Sequence, residues 1–491
     1  MEGLHSGDAA MQKELFTNIN SRTQRAAARR RILILGGGFA GAYTALHLEK
    51  RLAGLPDVEI VLAARENFLL FTPMLHEVAA SDVEITDVVQ PLRKMLHRTR
   101  VLIVDVQSID LARKFVRIVH RDLAEAFDLS YDQLVLAIGA VPNFYRIPGI
   151  EEHAVTMKTL GDAILLRNRL IEALDVADNH PGETECRAML TIVVAGGGFA
   201  GAETAGAVND LLRGAIKFYP NLREDMLRVV VVHSGDVILP ELSESLGRYA
   251  QNRLRRRGVE IRLKKAVTGY DGKNLTLNDG TKISTRLVVW TAGITPSPLL
   301  SRLPCALQRG HIVANACLQV PDWPGVWTLG DCASVPDPLN PGKFYPPTAQ
   351  HAIRQAAVLA NNIVAGMRGQ PLQPFRFKTL GMLAAIGRHA GVAEIFGMKF
   401  SGIVAWWLWR AIYLSKLPGL QNKVRVSLDW ALDLVFSKDI VELPTLRSPT
   451  MSEAEEPSTG IPYGPPRDFV PNSDRAMQQL DLPHPTTQKL A

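Results

Sequence analysis

The heptapeptide GGGFAGA occurs twice in this chain, at residues 36–42 and again at 196–202. Each copy follows an apolar run, RILIL at 31–35 or TIVVA at 191–195, and each leads into an alanine-rich segment. An apolar run, a glycine turn and a helix-forming segment in this order are typical of the first unit of a dinucleotide-binding fold. The repetition therefore predicts two such folds in one chain.

The glycines of both turns follow the pattern G-x-G-x-x-G. The first glycine permits a tight turn, the second lets the backbone approach a pyrophosphate, and the third allows close packing of strand and helix. The N-terminus of the helix adds positive dipole for the phosphates. One such turn also suits an ordinary sharp bend, whereas two turns in the same context predict two bound dinucleotides and electron transfer between them. The glycines are Gly36, Gly38 and Gly41 in the first turn and Gly196, Gly198 and Gly201 in the second.

The length of 491 residues exceeds what one core usually organises, and the apolar content of 47% is typical of a folded globular protein. We therefore expect two or three domains. The net charge of +6 is modest, and part of it comes from arginines clustered between residues 22 and 31. A solvated tail explains this cluster, and contact with anionic lipid or nucleic acid is the alternative. No basic patch interleaved with aromatic residues follows it, so no nucleic-acid partner is expected.

The cysteines form no CxxC pair and no spacing that a metal site requires. Neither a disulfide framework nor a bound metal is expected, and a reducing compartment fits best. Residues 1–30 lack the apolar core of a signal peptide. No uncharged apolar run reaches about 18 residues, so no membrane-spanning helix is predicted. The cysteines are Cys186, Cys305, Cys317 and Cys332.

The stretch GVWTLGDCASV at 325–335 places Gly330 and Asp331 directly after a β-type run. Together with the two glycine turns, this arrangement resembles the flavoprotein disulfide reductase superfamily, whose members have two dinucleotide-binding folds. The resemblance implies that the Gly-Asp pair meets the ribityl chain and pyrophosphate of FAD. It also implies that the first turn binds FAD and the second binds NADH or NADPH.

Two further stretches, LVLAIGAVPN at 134–143 and LVVWTAGITP at 287–296, resemble the crossings between the two nucleotide domains of that superfamily. By this resemblance Gly139 and Gly293 join the predicted cofactor contacts. The redox-active cysteine pair of the superfamily is absent from this sequence. Electrons must therefore leave the flavin by another route.

The segment PPTAQHAIRQAAVLANNI at 346–363 is similar to the AQxAxQ signature of the type II NADH dehydrogenases, the single-subunit NADH:quinone oxidoreductases. In that family the signature borders a quinone pocket beside the flavin, which implies that Gln350 and Gln355 line such a pocket. The two glutamines are five apart and do not share a helix face fully, so a capping or surface role is the alternative. Other stretches match the family in order: NFLLFTPMLHEVAA at 67–80, GAETAG at 201–206 and MLAAIGRHAGV at 382–392.

The resemblance implies a non-proton-pumping NAD(P)H:quinone oxidoreductase. In such an enzyme the nicotinamide delivers hydride to N5 of FAD, and the flavin then reduces a membrane quinone. The resemblance also places Glu203 near the flavin and the nicotinamide, where it would relay a proton to the quinone; a solvated helix residue is the alternative. Two other functions stay open at this point: a flavoprotein reductase with a non-quinone acceptor, and a redox-sensing flavoprotein with slow turnover.

The sequence departs from the family pattern at the ribose of FAD and within the AQxAxQ signature. Ala64 stands at the end of the second strand, where a carboxylate normally takes the adenosine ribose. Glu66, next to Arg65, is the candidate replacement, and a solvated charge is the alternative. Arg354 occupies the sixth place of the signature, with Gln355 one position later.

A third departure concerns the second nucleotide. His233 and Ser234 stand where the family usually has a glutamate. A carboxylate there hydrogen-bonds the 2′-hydroxyl of NADH and repels the 2′-phosphate of NADPH. We therefore expect weak discrimination between NADH and NADPH.

The segment GIVAWWLWRAIYLSKLPGL at 402–420 combines apolar residues at helical spacing with tryptophans and basic neighbours. Such a composition suits a helix that lies in the headgroup plane of a membrane. We expect a peripheral protein on the cytoplasmic face of the cell membrane; a helical hairpin packed on the nucleotide domains and a homodimer interface are the alternatives. The residues concerned are Ile403, Trp406, Trp407, Trp409, Arg410, Ala411, Leu414 and Lys416.

The predicted fold class is α/β, with two Rossmann-like dinucleotide-binding domains and a C-terminal amphipathic helical region that docks to a membrane. The predicted boundaries are 1–30 for a disordered basic tail, 31–153 with 298–375 for the FAD-binding domain, 154–297 for the NAD(P)H-binding domain, 376–443 for the membrane-associated region and 444–491 for a proline-rich disordered tail.

Overall fold

The computed structural model describes residues 30–120, 125–180, 182–433 and 438–443, so the predicted tails lie outside the described residues except for Arg30. The α-helices of these ranges are α1 (Phe39–Arg51), α2 (Leu75–Ala79), α3 (Leu92–Met95), α4 (Ile150–His153), α5 (Leu160–Asn179), α6 (Glu183–Met189), α7 (Phe199–Ala215), α8 (Glu244–Arg256), α9 (Ala349–Met367), α10 (Gly402–Lys416) and α11 (Leu420–Leu432). Short 3₁₀ turns lie at Thr72–Met74, Ile85–Val88, Ile216–Phe218, Glu224–Met226, Pro298–Arg302 and Gly330–Cys332.

The first parallel sheet has Arg30–Leu35 at its centre, and this strand is buried from its second residue onwards. Strands buried on both faces are expected in a parallel sheet that is covered by helices. The direction of strand order reverses beside this central strand, and nucleotides bind at the carboxyl ends of the strands at such a point. The spatial order is Val326–Thr328, Gln133–Leu136, Arg30–Leu35, Val58–Ala64 and Thr99–Ile103.

The second parallel sheet repeats this topology around Thr191–Ala195. The strand that contributes the later crossing, Leu287–Trp290, completes the second sheet, whereas Val326–Thr328 returns to the first. The predicted pair of Rossmann-like folds is confirmed, while the domain boundaries stay a prediction. The spatial order is Val155–Thr156, Leu287–Trp290, Thr191–Ala195, Arg228–His233 and Val259–Leu263.

The remaining strands form small, mainly antiparallel sheets around these two. One of them, the ribbon Ala140–Pro142 with Ile294–Pro296, pairs the two predicted crossings with each other. The others group as Phe68–Leu70 with Val89–Pro91; Asp105–Asp110, Phe115–Val119 and Ala126–Ser130; Val267–Tyr270, Asn274–Leu277 and Lys282–Ser284; Leu307–Gln308, His311–Val313 and Ala333–Ser334; and Gly381–Ala385, Gly391–Ile395 and Met398–Ser401.

Helices α10 and α11 pack on the body of the protein through their aromatic residues. Trp406, Trp409 and Trp430 are all buried, and the Arg410 guanidinium lies over the rings of Trp406 at 3.9 Å and Trp430 at 4.6 Å. The expectation that Trp406 and Trp409 face a membrane is therefore wrong, because their large apolar surfaces fill the core under these helices. Trp407, in contrast, is 54% exposed.

Across the described ranges, none of the helices combines the length and the apolar character needed to span a bilayer.

Candidate active site

The first glycine turn has the shape that a pyrophosphate requires. Gly36 has φ +111°, and a Cβ atom there would lie 2.2 Å from the carbonyl oxygen of Ala137. A Cβ at Gly41 would lie 1.9 Å from the carbonyl oxygen of Gly36, so α1 and its strand approach as closely as glycine permits. Gly38 faces open space and is the N-cap of α1, where no side chain satisfies the first N–H groups. An anion fits these free donors and the helix dipole.

The second turn repeats this geometry at the switch point of the second sheet. Gly196 has φ +118°, and a Cβ there would meet the backbone of Thr291 at 2.7 Å. A Cβ at Gly201 would lie 1.9 Å from the carbonyl oxygen of Gly196. Gly198 caps α7 as Gly38 caps α1. Both cradles therefore fit the diphosphate of a dinucleotide.

Gly330 and Asp331 lie beside the first cradle. A Cβ at Gly330, which has φ +72°, would lie 2.9 Å from the Cβ of Ala40 in the first turn of α1. The carboxylate of Asp331 is partly exposed and lies 3.5 Å from Nζ of Lys158. The structure thus brings the Gly-Asp pair to the place where the resemblance puts FAD. Its contact with the cofactor stays a prediction.

Two other glycines lie at the carboxyl ends of neighbouring strands. Gly139 follows the strand Gln133–Leu136, has φ +70° and faces open space. Gly293 follows the strand Leu287–Trp290, and a Cβ there would lie 2.3 Å from the hydroxyl of Tyr145. Both positions border the switch points at which dinucleotides bind.

The end of the second strand is close to the first turn. Ala64 is buried, and a Cβ at Gly37 would lie 2.8 Å from the Cβ of Ala64. Arg65 is exposed and forms an ion pair of 3.0 Å with Asp105. Glu66 is also exposed. Arg65 and Glu66 as contacts of the adenosine ribose stay predictions.

His233 lies against the second turn. Its Nδ1 accepts a hydrogen bond of 3.2 Å from the backbone N–H of Gly197. Burial lowers the pKa of His233, so its ring is neutral at neutral pH. Ser234 is exposed next to it. Sequence reasoning missed a nearby carboxylate, since Glu241 Oε1 lies 3.3 Å from the position of a Cβ at Gly198.

Glu203 is buried in α7 rather than solvated, so the surface alternative is wrong. Its Oε1 accepts hydrogen bonds of 3.1 Å from the backbone N–H of Ala385 and from the indole N–H of Trp409. Its Oε2 lies 3.9 Å from Nδ1 of His76. Burial raises the pKa of Glu203 to about 8, although the hydrogen bonds from Ala385 and Trp409 lower it. The side chain is therefore a protonated acid at neutral pH, able to give a proton.

The two predicted glutamines of α9 have different surroundings. Gln350 Nε2 donates a hydrogen bond of 3.3 Å to the carbonyl oxygen of Gly381. Gly381 and Ala385 are the two ends of one strand, so Gln350 and Glu203 lie at opposite ends of a segment about 13 Å long. The side chain of Gln355 lies elsewhere: it is buried and accepts a 2.9 Å hydrogen bond from the N–H of Gly330.

The stretch NFLLFTPMLHEVAA contains two further candidate site residues, His76 and Glu77, which were not predicted from the sequence. Both are buried in α2, which packs against α7. The signal was present, because a charged residue beside a histidine in an apolar five-residue helix has few ways to reach solvent. Trp409 carried no such signal, since the whole of α10 is rich in tryptophan.

These features define the class of the protein. Two parallel sheets, each with a diphosphate cradle at its switch point, are the architecture of a flavoprotein that binds FAD and a nicotinamide nucleotide. Residues 30–356 match the pyridine nucleotide-disulphide oxidoreductase family, and residues 380–439 match the NDH2 C-terminal domain. The chain belongs to this oxidoreductase family and, within it, to the type II NADH:quinone oxidoreductases.

Individual relatives agree with this membership. The chain is 31% identical to the type II NADH:quinone oxidoreductase Ndh of Mycobacterium tuberculosis, over 85% of this chain and 90% of that protein. It is 32% identical to the demethylphylloquinone reductase NdbB of Synechocystis, over 82% of this chain and 96% of that protein. The structure of NDH2 from Plasmodium falciparum in complex with NADH has the same fold, with a TM-score of 0.77 and 18% identity over 84% of this chain and 100% of that one.

Proposed function

We propose that this protein oxidises NADH or NADPH and reduces a membrane quinone, with FAD as the bound electron carrier and without pumping protons. The observation that carries this proposal is the pair of glycine cradles at the switch points of two separate sheets. The names of the M. tuberculosis and Synechocystis relatives, a NADH:quinone oxidoreductase and a demethylphylloquinone reductase, support a quinone as acceptor.

The chain's own residues divide between the two nucleotides. The first cradle, with Gly139 and Asp331, would hold FAD, and the second cradle, with Gly293, would hold the nicotinamide nucleotide. When bound, FAD takes two electrons from the nicotinamide and supplies them to the quinone. The remaining groups bind, orient and protonate.

Glu203 and Gln350 would serve the quinone. A quinone that gains two electrons also needs two protons, and a buried carboxyl that is protonated at neutral pH can supply one. Gln350 offers an amide at the other end of the strand Gly381–Ala385, where it can hydrogen-bond a quinone oxygen. Gln355 would instead position the loop that carries Asp331.

An apolar docking face supports access to a quinone in lipid. We define this face as the exposed apolar residues of α10, α11 and the hairpin before them, with basic residues around it. In α11 its members recur every four residues, so they lie on one side of the helix. A helix face of this kind inserts among lipid headgroups and acyl chains. The members are Phe396, Met398, Ile403, Val404, Trp407, Leu420, Val424, Leu428 and Leu432, with Lys399, Lys416, Lys423 and Arg425 nearby.

The proposed location is the cytoplasmic face of the cell membrane, where this docking face would hold the protein peripherally. Anionic headgroups would pair with the surrounding lysines and arginine, and the exposed Trp407 would lie at the headgroup level.

Anaerobic stopped-flow measurements on the purified holoenzyme test the function. We expect the flavin absorbance to bleach when NADH is added and to recover when a ubiquinone or menaquinone analogue follows. A flavin that bleaches but does not recover with any quinone would contradict the proposal and indicate a redox sensor or a different acceptor.

A further inference from the structure

A second buried carboxyl lies close to Glu203. Glu77 is in α2, is 6% exposed, and accepts a hydrogen bond of 3.1 Å from the indole N–H of Trp430 through Oε2. Its neighbour in the same helix, His76, faces Glu203. Helix α2 therefore places an imidazole and a carboxyl next to the acid that the proposed quinone chemistry uses.

The two carboxyls are held in parallel ways. Trp409 donates its indole N–H to Glu203, Trp430 donates its indole N–H to Glu77, and the two indole rings are 6.3 Å apart. Burial raises the pKa of each carboxyl to about 8. Both groups therefore hold a proton at neutral pH, and a pKa of about 8 is close enough to neutrality for each to release and regain that proton.

Glu77 is also close to a buried ion pair near the surface. Lys438 Nζ lies 2.5 Å from Asp82 Oδ1, and the backbone N–H of Asp82 donates to the carbonyl oxygen of Glu77 at 2.8 Å. The side chains of Asp82 and Lys438 keep a small exposed fraction, 16% and 11%. Of the charged side chains around Glu77, that of Asp82 has the largest exposed fraction, so we take this pair as the side of the cluster nearest to solvent. The groups that face Glu77 are Asp82 from the loop after α2, Arg410 from α10, Trp430 from α11, Lys438 from the C-terminal segment and Glu203 from α7.

Several polar atoms in this region have no hydrogen-bond partner within the described part of the chain. They lie on α2, α7 and α10 and in the loop after α2, the elements that surround the cluster. Buried polar atoms without protein partners are the usual places for internal water molecules, which relay protons. The atoms are His76 Nε2, Ser81 Oγ, Thr204 Oγ1 and Arg410 Nε.

His76 can join the two carboxyls. Burial, with a smaller contribution from the charge of Lys438, lowers the pKa of His76 to about 3, so the ring is neutral. A neutral imidazole accepts a proton at one nitrogen and donates one from the other. Its Nδ1 is 3.9 Å from Glu203, a gap that a small rotation or one water molecule closes.

The proton balance of the proposed reaction requires such a path. The overall change is NADH + H⁺ + quinone → NAD⁺ + quinol, in which two electrons leave the nicotinamide and two hydrogens end on the quinone oxygens. The nicotinamide supplies one of these hydrogens, and the other comes from water. The quinone arrives from lipid, so this proton must cross the interior from an aqueous surface.

We propose that Glu77 and His76 form the inner half of a proton path that leads from the Asp82–Lys438 pair to Glu203. This inference rests on the quinone reductase function proposed above and names the residues that supply its solvent proton. Glu77 acts through Glu203 and is a positioning and relay residue.

The competing explanation is that the cluster only fastens the C-terminal helices. Glu77→Gln separates the two, because the amide oxygen still accepts from Trp430 while the exchangeable carboxyl proton is lost. Asp87→Asn is the matched control: Asp87 is also buried, and it pairs with Arg425 of α11 at 3.4 Å. Asp87 therefore holds α11, the helix that also carries Trp430, but does not lie next to Glu203.

The test measures both half-reactions of the full-length holoenzyme by anaerobic stopped-flow, from about pH 6 to about pH 9, in H₂O and in D₂O. In Glu77→Gln we expect NADH to bleach the flavin absorbance at the rate of the unmutated enzyme. Recovery of the absorbance with quinone should be slower by about tenfold or more. The slowed step should show a larger solvent isotope effect and an altered pH profile. Asp87→Asn should match the unmutated enzyme in both half-reactions, and Glu77→Asp should regain part of the lost rate.

Two results would overturn the inference. One is that the flavin absorbance of Glu77→Gln recovers with quinone at the rate of the unmutated enzyme across the pH range. The other is an equal slowing of both half-reactions in Glu77→Gln and in Asp87→Asn, which indicates a clamp. If Glu77→Gln does not fold, Asp82→Asn at the outer end of the path takes its place with the same expectations. Failure of the unmutated enzyme to recover with quinone would instead refute the proposed function, so the two failures are distinguishable.

Discussion

The side-chain oxygen of Gln355 accepts a 2.9 Å hydrogen bond from the backbone N–H of Gly330. Gln355 lies in α9, and Gly330 begins the 3₁₀ turn that follows the strand Val326–Thr328 of the first sheet. Since α9 also packs along α1, the helix holds both this turn and the helix N-terminus that would meet FAD. A glutamine that the family resemblance assigns to quinone chemistry thus has its visible contact on the flavin side.

Gln355→Leu should lower FAD retention and stability. The change leaves the buried N–H of Gly330 without an acceptor, which costs about 1–3 kcal/mol. The measurements are FAD content after gel filtration and thermal unfolding. Gln350→Leu is the control, because its hydrogen bond goes to Gly381, and it should keep its flavin. Equal loss of FAD in both variants would show that the Gly330 contact is not what matters.

Asp331→Ala should also lower FAD occupancy, because it removes a hydrogen-bond acceptor beside the first cradle. The carboxylate also pairs with Lys158, so the ion pair needs its own control. Lys158→Met removes that pair and should retain FAD. Unchanged flavin content in Asp331→Ala after extensive dialysis would contradict the assigned role of Asp331.

The parts of this fold that follow from sequence are those in which the backbone itself dictates the residue. The positions of Gly36 and Gly41 have no room for a Cβ atom, so the spacing of these glycines in the sequence indicates the turn directly. The surroundings of Glu203 could not be predicted from the sequence. Its partners His76, Ala385 and Trp409 come from distant parts of the chain and meet only through packing.

The buried face of α10 was also unpredictable, for a different reason. Its apolar residues surround the helix, so periodicity does not indicate which side packs inward. Trp406 and Trp407 are adjacent in sequence, yet the first is buried and the second exposed. The apolar character of the helix was visible in the sequence, whereas its orientation required the structure.

The raised pKa of Glu203 predicts a stability that falls as pH rises. The folded protein holds the proton up to about pH 8, whereas the unfolded chain releases it near its ordinary value of 4.5. Between these values the folded state binds more protons, so each pH unit lowers the free energy of unfolding by up to about 1.4 kcal/mol per such group. Glu203→Gln should flatten this dependence.

Urea unfolding curves at several pH values between the two pKa values check this. The unmutated protein should lose stability with rising pH, and Glu203→Gln should lose less. Glu203→Gln should also slow quinone reduction while leaving flavin bleaching by NADH intact. Parallel curves for the two proteins would show that Glu203 titrates normally.

The apolar docking face predicts loss of membrane binding on substitution of its centre. Trp407→Ser with Leu428→Ser removes two exposed side chains, each worth about 1.5–3 kcal/mol if fully buried in lipid, so binding to anionic liposomes should weaken at least tenfold. Truncation before α10 would be a poorer test, since it removes the buried Trp409. Phe218→Ser, an exposed aromatic outside this face, is the control. Sedimentation of the double variant like the unmutated protein would place the anchor elsewhere.

The last prediction concerns the choice between NADH and NADPH. No carboxylate stands at His233, and the neutral His233 ring neither repels nor attracts a 2′-phosphate. Exposed Ser234 can donate a hydrogen bond to it. We therefore expect kcat/KM for NADPH to lie within about tenfold of that for NADH, equivalent to about 1.4 kcal/mol.

Two substitutions separate the residues that could set this preference. His233→Glu supplies the missing carboxylate and should shift the enzyme towards NADH, at some cost in turn stability because Gly197 loses its acceptor on Nδ1. Glu241→Gln addresses the carboxylate near Gly198, which could hydrogen-bond the ribose from the other side of the turn. The measurement is kcat/KM for both nucleotides in the three proteins. A strong NADH preference in the unmutated enzyme that disappears in Glu241→Gln would show that Glu241 supplies the discrimination, and the expectation built on His233 would then be wrong.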